Sequence, residues 1–460
     1  MEHTTASPIV KPWRAHFTAT AKLGLPLVGA QLAQMAINTT DVIMLGWLGT
    51  TELAAGVLAT QMFFVLYIFG AGFATAVMPL VAQAEGRDDI KGVRRAVRMG
   101  IWIAVFYSLI TLPPLWYIEE ILLMFGQAPD VSLLAKEYMH VAMWAILPAL
   151  IAFCMRSFLS AMERAQIVLW AVLIGTATNA ILNYALIFGN FGAPALGIIG
   201  AAIASLITNV LIVAILIGYT LWHRELQKYE LYVRLWRSDW EAFGEVLRLG
   251  FPISIAIIAE VGMFSIASIF MGWLGTIQLA AHGIVMQLAA LAFMIPLGLS
   301  NVATVRVGRT LARGEITDMH RAAITVTVMA LFISSLAAIL FLLIPEHLIN
   351  LFLDYSNTRA GSVAAYAIPL MLVVAAFQIA DCLQVVAIGL LRGMKDTKVP
   401  MIIALISYWG LGIPTAYILG LHTELAGLGV WIGLAIGLTA AGIFMNLRFW
   451  QGTKKLGIAP

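Results

Sequence analysis

The chain has 460 residues, of which 61% are hydrophobic and only 11% charged. A soluble domain carries about 25% charged residues, so a soluble fold of this size is excluded and the solvent must be lipid. The formal net charge of +3 follows from 27 basic against 24 acidic residues and gives no ground for nucleic-acid binding.

In chain order, residues 1–18 are polar, contain Pro8 and Pro12, and lack the apolar stretch and small-residue cleavage site of a signal peptide. The first spanning helix is therefore expected to direct insertion. Twelve apolar runs follow, at about 20–46, 53–80, 96–117, 134–158, 167–189, 196–220, 247–272, 279–304, 320–344, 362–391, 399–420 and 426–447. Each has about the 20 residues that a spanning helix needs.

The basic residues test that count. With the N-terminus inside, the positively charged segments from Lys11 to Lys455 fall on the cytoplasmic side, and only Lys136 and Arg359 fall outside. This is the asymmetry the positive-inside rule requires. It predicts cytoplasmic N- and C-termini and a multi-pass protein of the inner (plasma) membrane. Cys154 and Cys382 both lie in predicted helices, which argues against a disulfide framework.

The chain also repeats itself. Leu23-Gly-Leu-Pro26, Gly46-Trp-Leu-Gly-Thr50, Leu53-Ala-Ala55 and Gln61 recur without a gap as Leu249-Gly-Phe-Pro252, Gly272-Trp-Leu-Gly-Thr276, Leu279-Ala-Ala281 and Gln287. Leu159 to Arg164 is echoed by Leu391 to Asp396, and Leu196-Gly-Ile198 by Leu428-Gly-Val430. Six helices return the chain to its starting side, so the two copies share one orientation and a pseudo-twofold axis along the membrane normal is expected. The expected fold is all-α, with two six-helix lobes: an N-lobe at 1–225, a cytoplasmic linker at 226–246 and a C-lobe at 247–460. The linker mixes aromatic and charged residues, which suits either an interfacial helix or a solvated connection. Pro26 and Pro252 are equivalent, as prolines tolerated in a first turn or as shared kink points. Gly429, Gly433 and Gly437, four apart, suit close helix packing.

Three acidic residues lie inside predicted helices: Asp41, Glu260 and Asp381. A carboxylate at membrane depth is costly and marks an ion or substrate path. Asp381 stands about 16 Å above the cytoplasmic end of its helix, at 1.5 Å per residue from Arg392. No Lys or Arg is expected at comparable depth, so each carboxyl must hold a proton, bind a metal cation or face water. The repeat counterpart of Glu260 is Gln34, and that of Asp41 is Ala267. Unequal charge on equal scaffolds points to function, because a scaffold duty would recur in both copies. Gln34 and Asn38 precede Asp41 by seven and three residues, Asn179 and Asn183 are four apart, and Gln378 and Gln384 flank Asp381 at three residues on either side. Such spacings place side chains on one helix face. They suit either oxygen ligands for Na⁺ or ordinary interhelical hydrogen bonds. His282 is expected at the outer interface. The chain lacks a G-x-x-x-x-G-K-[ST] phosphate loop, an H-E-x-x-H motif and a Cys/His cluster, so neither direct ATP use nor enzymatic chemistry is indicated.

Together these residues resemble the MATE family (multidrug and toxic compound extrusion), in its NorM-like branch. The resemblance rests on Pro26 with Asp41-Val-Ile-Met-Leu-Gly46, Pro252 with Glu260, the segment from Asp381 to Asp396, Asn179-x-x-x-Asn183-Tyr184, and Gly197-x-x-Gly200-Ala-Ala202. It covers essentially the whole chain. It implies an antiporter, working as a monomer without a cofactor, that expels cationic, hydrophobic drugs or dyes in exchange for Na⁺ or H⁺. It assigns Asp41 to an N-lobe proton or substrate site, and Glu260 with Asp381 to a C-lobe cation site that would hold Na⁺ under sodium coupling. A lipid-linked oligosaccharide flippase of the same superfamily is the alternative, but it would need an intramembrane cluster of basic residues. A major-facilitator carrier is only faintly echoed by Gly86-Arg-Asp-Asp89, and a membrane prenyl or acyl transferase has no evident metal or His/Asp constellation.

Overall fold

The computed structural model describes residues 11–353 and 359–454; Lys455 and both chain ends lie outside the described residues. The described residues are helical, as lipid dictates, since only an element that satisfies its own backbone hydrogen bonds can cross hydrocarbon unaided. The long helices are α1 (Trp13–Gly46), α2 (Thr50–Gly86), α3 (Ile90–Trp116), α4 (Pro129–Ala161), α5 (Ala165–Phe188), α6 (Ile198–Trp222), α7 (Trp240–Leu274), α8 (Thr276–Ala312), α9 (Ile316–Leu343), α10 (Ala360–Gly393), α11 (Lys398–Leu421) and α12 (Ala426–Lys454). Eleven of them are long and apolar enough to span a bilayer. The remaining one, α1, has the length, at 34 residues, but its apolar sequence is broken by Gln31, Gln34, Asn38 and Asp41.

Two compact units are present, comprising residues 29–258 in one case and residues 1–28 with 259–460 in the other. Their borders fall inside α1 and α7, whereas the sequence reading placed them at the 226–246 linker. The cause is steric and reciprocal. The first half of α7 packs on α2, where a Cβ on Gly72 would meet Ser254 Cα at 2.7 Å. The first half of α1 packs on α8, where a Cβ on the equivalent Gly298 would meet Val28 Cα at 2.9 Å. Only glycine permits this backbone approach. Each repeat's opening half-helix is thus held by the second helix of the other repeat. Pro26 and Pro252 lie in the interiors of α1 and α7, well beyond a first turn.

In the unit of residues 29–258, α2 packs on α3 and α4, and α6 on α4 and α5. Asp89 caps α3, its Oδ1 accepting from Gly92 N at 2.8 Å. The linker forms neither an interfacial helix nor a loose connection. After one short turn of helix (Arg224–Gln227) it becomes a strap tied to the N-terminal end of α3. Arg94 donates to Tyr229 O and Glu230, Arg95 to Asp239 and Glu241, Arg98 to Val233 O, and Trp102 to Leu235 O.

In the other unit, α10 is central, packed by α8, α9 and α12. The glycines of α12 serve packing, with Gly433 on the Ala416 backbone and a Cβ on Gly437 only 3.0 Å from Gly412 Cα. The start of α1 is fixed by buried Arg306, which donates to His16 O and Thr20 Oγ1, both at 2.6 Å. His282 is buried, not interfacial, with Nε2 3.0 Å from Ser268 Oγ and its ring 5.5 Å from that of Trp431. A neutral imidazole has one donor and one acceptor nitrogen, and this contact satisfies one of them inside the bundle. Cys154 and Cys382 are buried free thiols. Lys136 is paired with Glu119 at 2.6 Å.

Candidate functional site

Each unit holds its own carboxylate cluster. In residues 29–258, α1 places Asp41 against α5 and α6. Asn183 Nδ2 donates to Asp41 Oδ1 at 2.5 Å, and Ser205 Oγ to Asp41 Oδ2 at 3.1 Å. Asn183 Nδ2 also donates to Asn179 Oδ1 at 3.2 Å. Both asparagines are fully buried, and Asn179 Nδ2 and Asn183 Oδ1 have no partner. The i, i+4 spacing on α5 thus sets one amide on the carboxylate and the second behind it. Every partner of Asp41 here is neutral, so the carboxyl remains free to exchange its charge state.

Asn38 and Gln34 do not join this cluster. Asn38 is exposed, and Gln34 Oε1 accepts from Arg156 Nη1 at 3.1 Å. Arg156 itself was expected at the cytoplasmic boundary. Its side chain instead reaches along α4 to the level of Gln34, because a long flexible stem lets a guanidinium lie far from its own backbone.

In the second unit, α7 carries Glu260 and α10 carries Asp381. Asp381 is buried, and its Oδ1 has no hydrogen-bond partner. Gln378 and Gln384, at i−3 and i+3, share its helix face and are fully buried. Gln378 Oε1, Gln378 Nε2 and Gln384 Oε1 are unpartnered too, so three buried oxygens lack a donor and one amide nitrogen lacks an acceptor. Buried polar groups are otherwise almost always paired. A cluster with three open oxygens suits a hard cation or a proton. Glu260 interacts electrostatically with both Arg392 and Asp381, and the Tyr408 hydroxyl lies in the field of all three.

Tyr408 and Trp409 are brought there by a π-helical stretch, Ile406–Gly412, inside α11. Such segments are rare and frequent at functional sites. Gln384 Nε2 donates to Tyr408 Oη at 2.6 Å, and Trp409 Nε1 donates to Ala259 O at 3.0 Å, directly before Glu260. Ser205, Arg156, Arg392, Tyr408 and Trp409 escaped the sequence reading. Gly410 and Gly412 around Leu411, followed by Pro414, were the available sign that α11 is irregular.

The MatE family model matches twice, over residues 26–185 and 252–418, once in each repeat. A "Probable multidrug resistance protein NorM" of Rhizobium meliloti (strain 1021) is 50% identical over 448 residues, covering 97% of this chain and 96% of that protein. A protein of the same name from Agrobacterium fabrum (strain C58 / ATCC 33970) is 47% identical over 437 residues, with 95% and 94% covered. Among solved structures, the outward-facing conformation of a multidrug resistance MATE family transporter superposes with a TM-score of 0.86 at 20% identity, covering 96% of this chain and 97% of that one. The eukaryotic MATE transporter AtDTX14 superposes with a TM-score of 0.83 at 21% identity, covering 96% and 98%. This chain belongs to the MatE family of multi-pass membrane transporters, and it is a transporter rather than an enzyme.

Proposed function

We propose that the protein is a secondary active efflux antiporter that expels cationic, hydrophobic compounds from the cell in exchange for inward Na⁺ or H⁺. The observation that carries this reading is the pair of carboxylate clusters, one in each compact unit, with Asp381 buried, Asp41 and Glu260 half-buried, and each cluster surrounded mainly by neutral hydrogen-bonding groups. Asp41, held by Asn183 and Ser205, is suited to a proton or to the cationic centre of a substrate. Glu260 and Asp381, with the open oxygens of Gln378 and Gln384, are suited to a coupling cation. Na⁺, if used, is cargo at Glu260 and Asp381 rather than a resident cofactor.

The chemistry follows from charge. A carboxylate in hydrocarbon attracts a cationic drug strongly, and entry of a proton or Na⁺ removes that attraction. The same neutralisation biases the protein between conformations by as much as the ion's affinity differs between them. Uptake of the ion is thereby linked to release of the drug. The relatives named as multidrug resistance proteins support the substrate class, and the basic segments predicted to be cytoplasmic support an N-in, C-in orientation in the plasma membrane.

The test uses purified protein in proteoliposomes loaded with a fluorescent cationic dye. A Na⁺ gradient is imposed at fixed pH, then a pH gradient without Na⁺. Dye movement under Na⁺ alone assigns sodium to Glu260 and Asp381. Movement under the pH gradient alone assigns proton coupling, with Asp41 as the first candidate. No movement under either, with folded protein, overturns antiport of cations and favours lipid-linked oligosaccharide flipping.

A further inference from the structure

The strap between α6 and α7 is neutral in sequence but not at its surface. Residues 224–241 carry four basic and four acidic side chains. Each of the acids is taken by an arginine from outside the strap: Glu225 pairs with Arg164, Glu230 with Arg94, and Asp239 and Glu241 with Arg95. The strap's own cations are left over. Arg234 and Arg237 are exposed, and among the described residues neither forms an ion pair. One turn joins them, with Arg237 N donating to Arg234 O at 3.0 Å. Arg98 of α3 approaches the same turn, its Nη2 donating to Val233 O at 2.7 Å. It is only 8% exposed and its Nε has no partner. Arg237 is near enough to Arg98 for their like charges to oppose each other, and Asp239, which also acts on Arg98, is already bonded to Arg95.

Position narrows what can meet this charge. The strap joins the ends of two membrane-spanning helices, α6 and α7, so it lies at the bilayer surface. Trp222 ends α6 and Trp240 opens α7, and both are exposed. Trp236, which stands between the two arginines in sequence, is 79% exposed. Tryptophan collects where hydrocarbon gives way to headgroups. Basic side chains at that level are drawn to anionic lipid, and the planar fork of a guanidinium matches a phosphate bidentately. A zwitterionic headgroup brings its own cation and leaves the excess charge unmet.

We propose that Arg234 and Arg237, with Trp236 as an interfacial anchor, form a binding surface for the phosphate headgroup of an anionic phospholipid. This surface stands independently of the export reading above. The test is native mass spectrometry of purified full-length protein in detergent, with an equimolar mixture of dioleoyl phosphatidylglycerol and dioleoyl phosphatidylcholine. The expected result is a preference for phosphatidylglycerol that falls by about tenfold or more in the double variant Arg234→Gln, Arg237→Gln. Both side chains are exposed, so the variant should match wild type in circular dichroism. Trp236→Ala should weaken both lipids and leave their ratio standing. Equal binding of the two lipids by wild type, or an unchanged preference in the double variant, overturns the surface. Undiminished binding of both lipids by Trp236→Ala overturns the anchor. Melting in detergent separates a lipid from a free anion. Phosphatidylglycerol should raise the melting temperature of wild type and not of the double variant, and inorganic phosphate at matched ionic strength should raise neither. A rise with inorganic phosphate equal to that with the lipid overturns the proposal in favour of a free-phosphate site.

Discussion

Asn183 reaches Asp41 across 2.5 Å, and the same Nδ2 also donates to Asn179 Oδ1 at 3.2 Å, so one buried amide ties α5 to the carboxylate of α1. A hydrogen bond to a charged acceptor is worth about 1.5–3 kcal/mol, and its loss strands the acceptor. Replacing Asn183 by Leu keeps the volume and removes the donor. Dye transport by reconstituted Asn183→Leu is expected to fall by about tenfold or more, while the chain remains folded by circular dichroism. Unchanged transport would show that Asp41 does not depend on this contact.

The carboxylates themselves are tested by isosteric amides. Asp41→Asn, Glu260→Gln and Asp381→Asn each remove the exchangeable charge with little change in shape. Each is expected to slow dye efflux by at least about tenfold, the effect of losing a contact of roughly 1.4 kcal/mol. Thermal melting of purified Asp381→Asn should stay within a few degrees of wild type, because the native Asp381 Oδ1 has no hydrogen-bond partner to lose. Full-rate pumping by all three would refute the coupling role.

The helix count, the duplication and the three carboxylates were legible because each leaves a one-dimensional signature: apolar runs, an ungapped repeat, and charge where charge is expensive. Asn179, Asn183, Gln378 and Gln384 were legible through spacing on one face. What spacing could not show was reach. Arg156 sits near a helix end in sequence, yet its stem carries the charge to position 34. Nor could it show the π-helical stretch that presents Tyr408 and Trp409, since that depends on how α11 packs on α12. The exchange of half-helices at Gly72 and Gly298 was hidden for the same reason: a glycine in an apolar helix looks like any other until its neighbour is known.

That exchange makes a stability prediction. A methyl group at Gly72 would lie on the Ser254 backbone and one at Gly298 on the Val28 backbone. Overpacking of this kind costs about 1–3 kcal/mol. Gly72→Ala and Gly298→Ala should each lower the melting temperature in detergent. Gly218→Ala, where a Cβ meets nothing within 4 Å, should not. Equal melting of all three would mean that the α2–α7 and α1–α8 crossings are looser than the structure has them.

The strap offers a pH test outside the membrane. Arg95 donates to both Asp239 oxygens, at 2.5 and 3.0 Å, and this contact holds the Asp239 carboxyl below the usual carboxylate range. A carboxyl with a lowered folded-state pKa contributes stability above its unfolded value, near 3.9, and that contribution fades as pH falls through the lower folded value. Wild-type protein should therefore lose melting temperature below about pH 4, and Asp239→Asn should lose less over the same window because it has no proton to take up there. At neutral pH the variant should melt lower than wild type, since Arg95 keeps only Glu241 as an acidic partner. The difference should shrink in high salt, because the pair is partly exposed and screened. Parallel melting curves for the two proteins from neutral to acid pH would show that Arg95 and Asp239 do not anchor the strap.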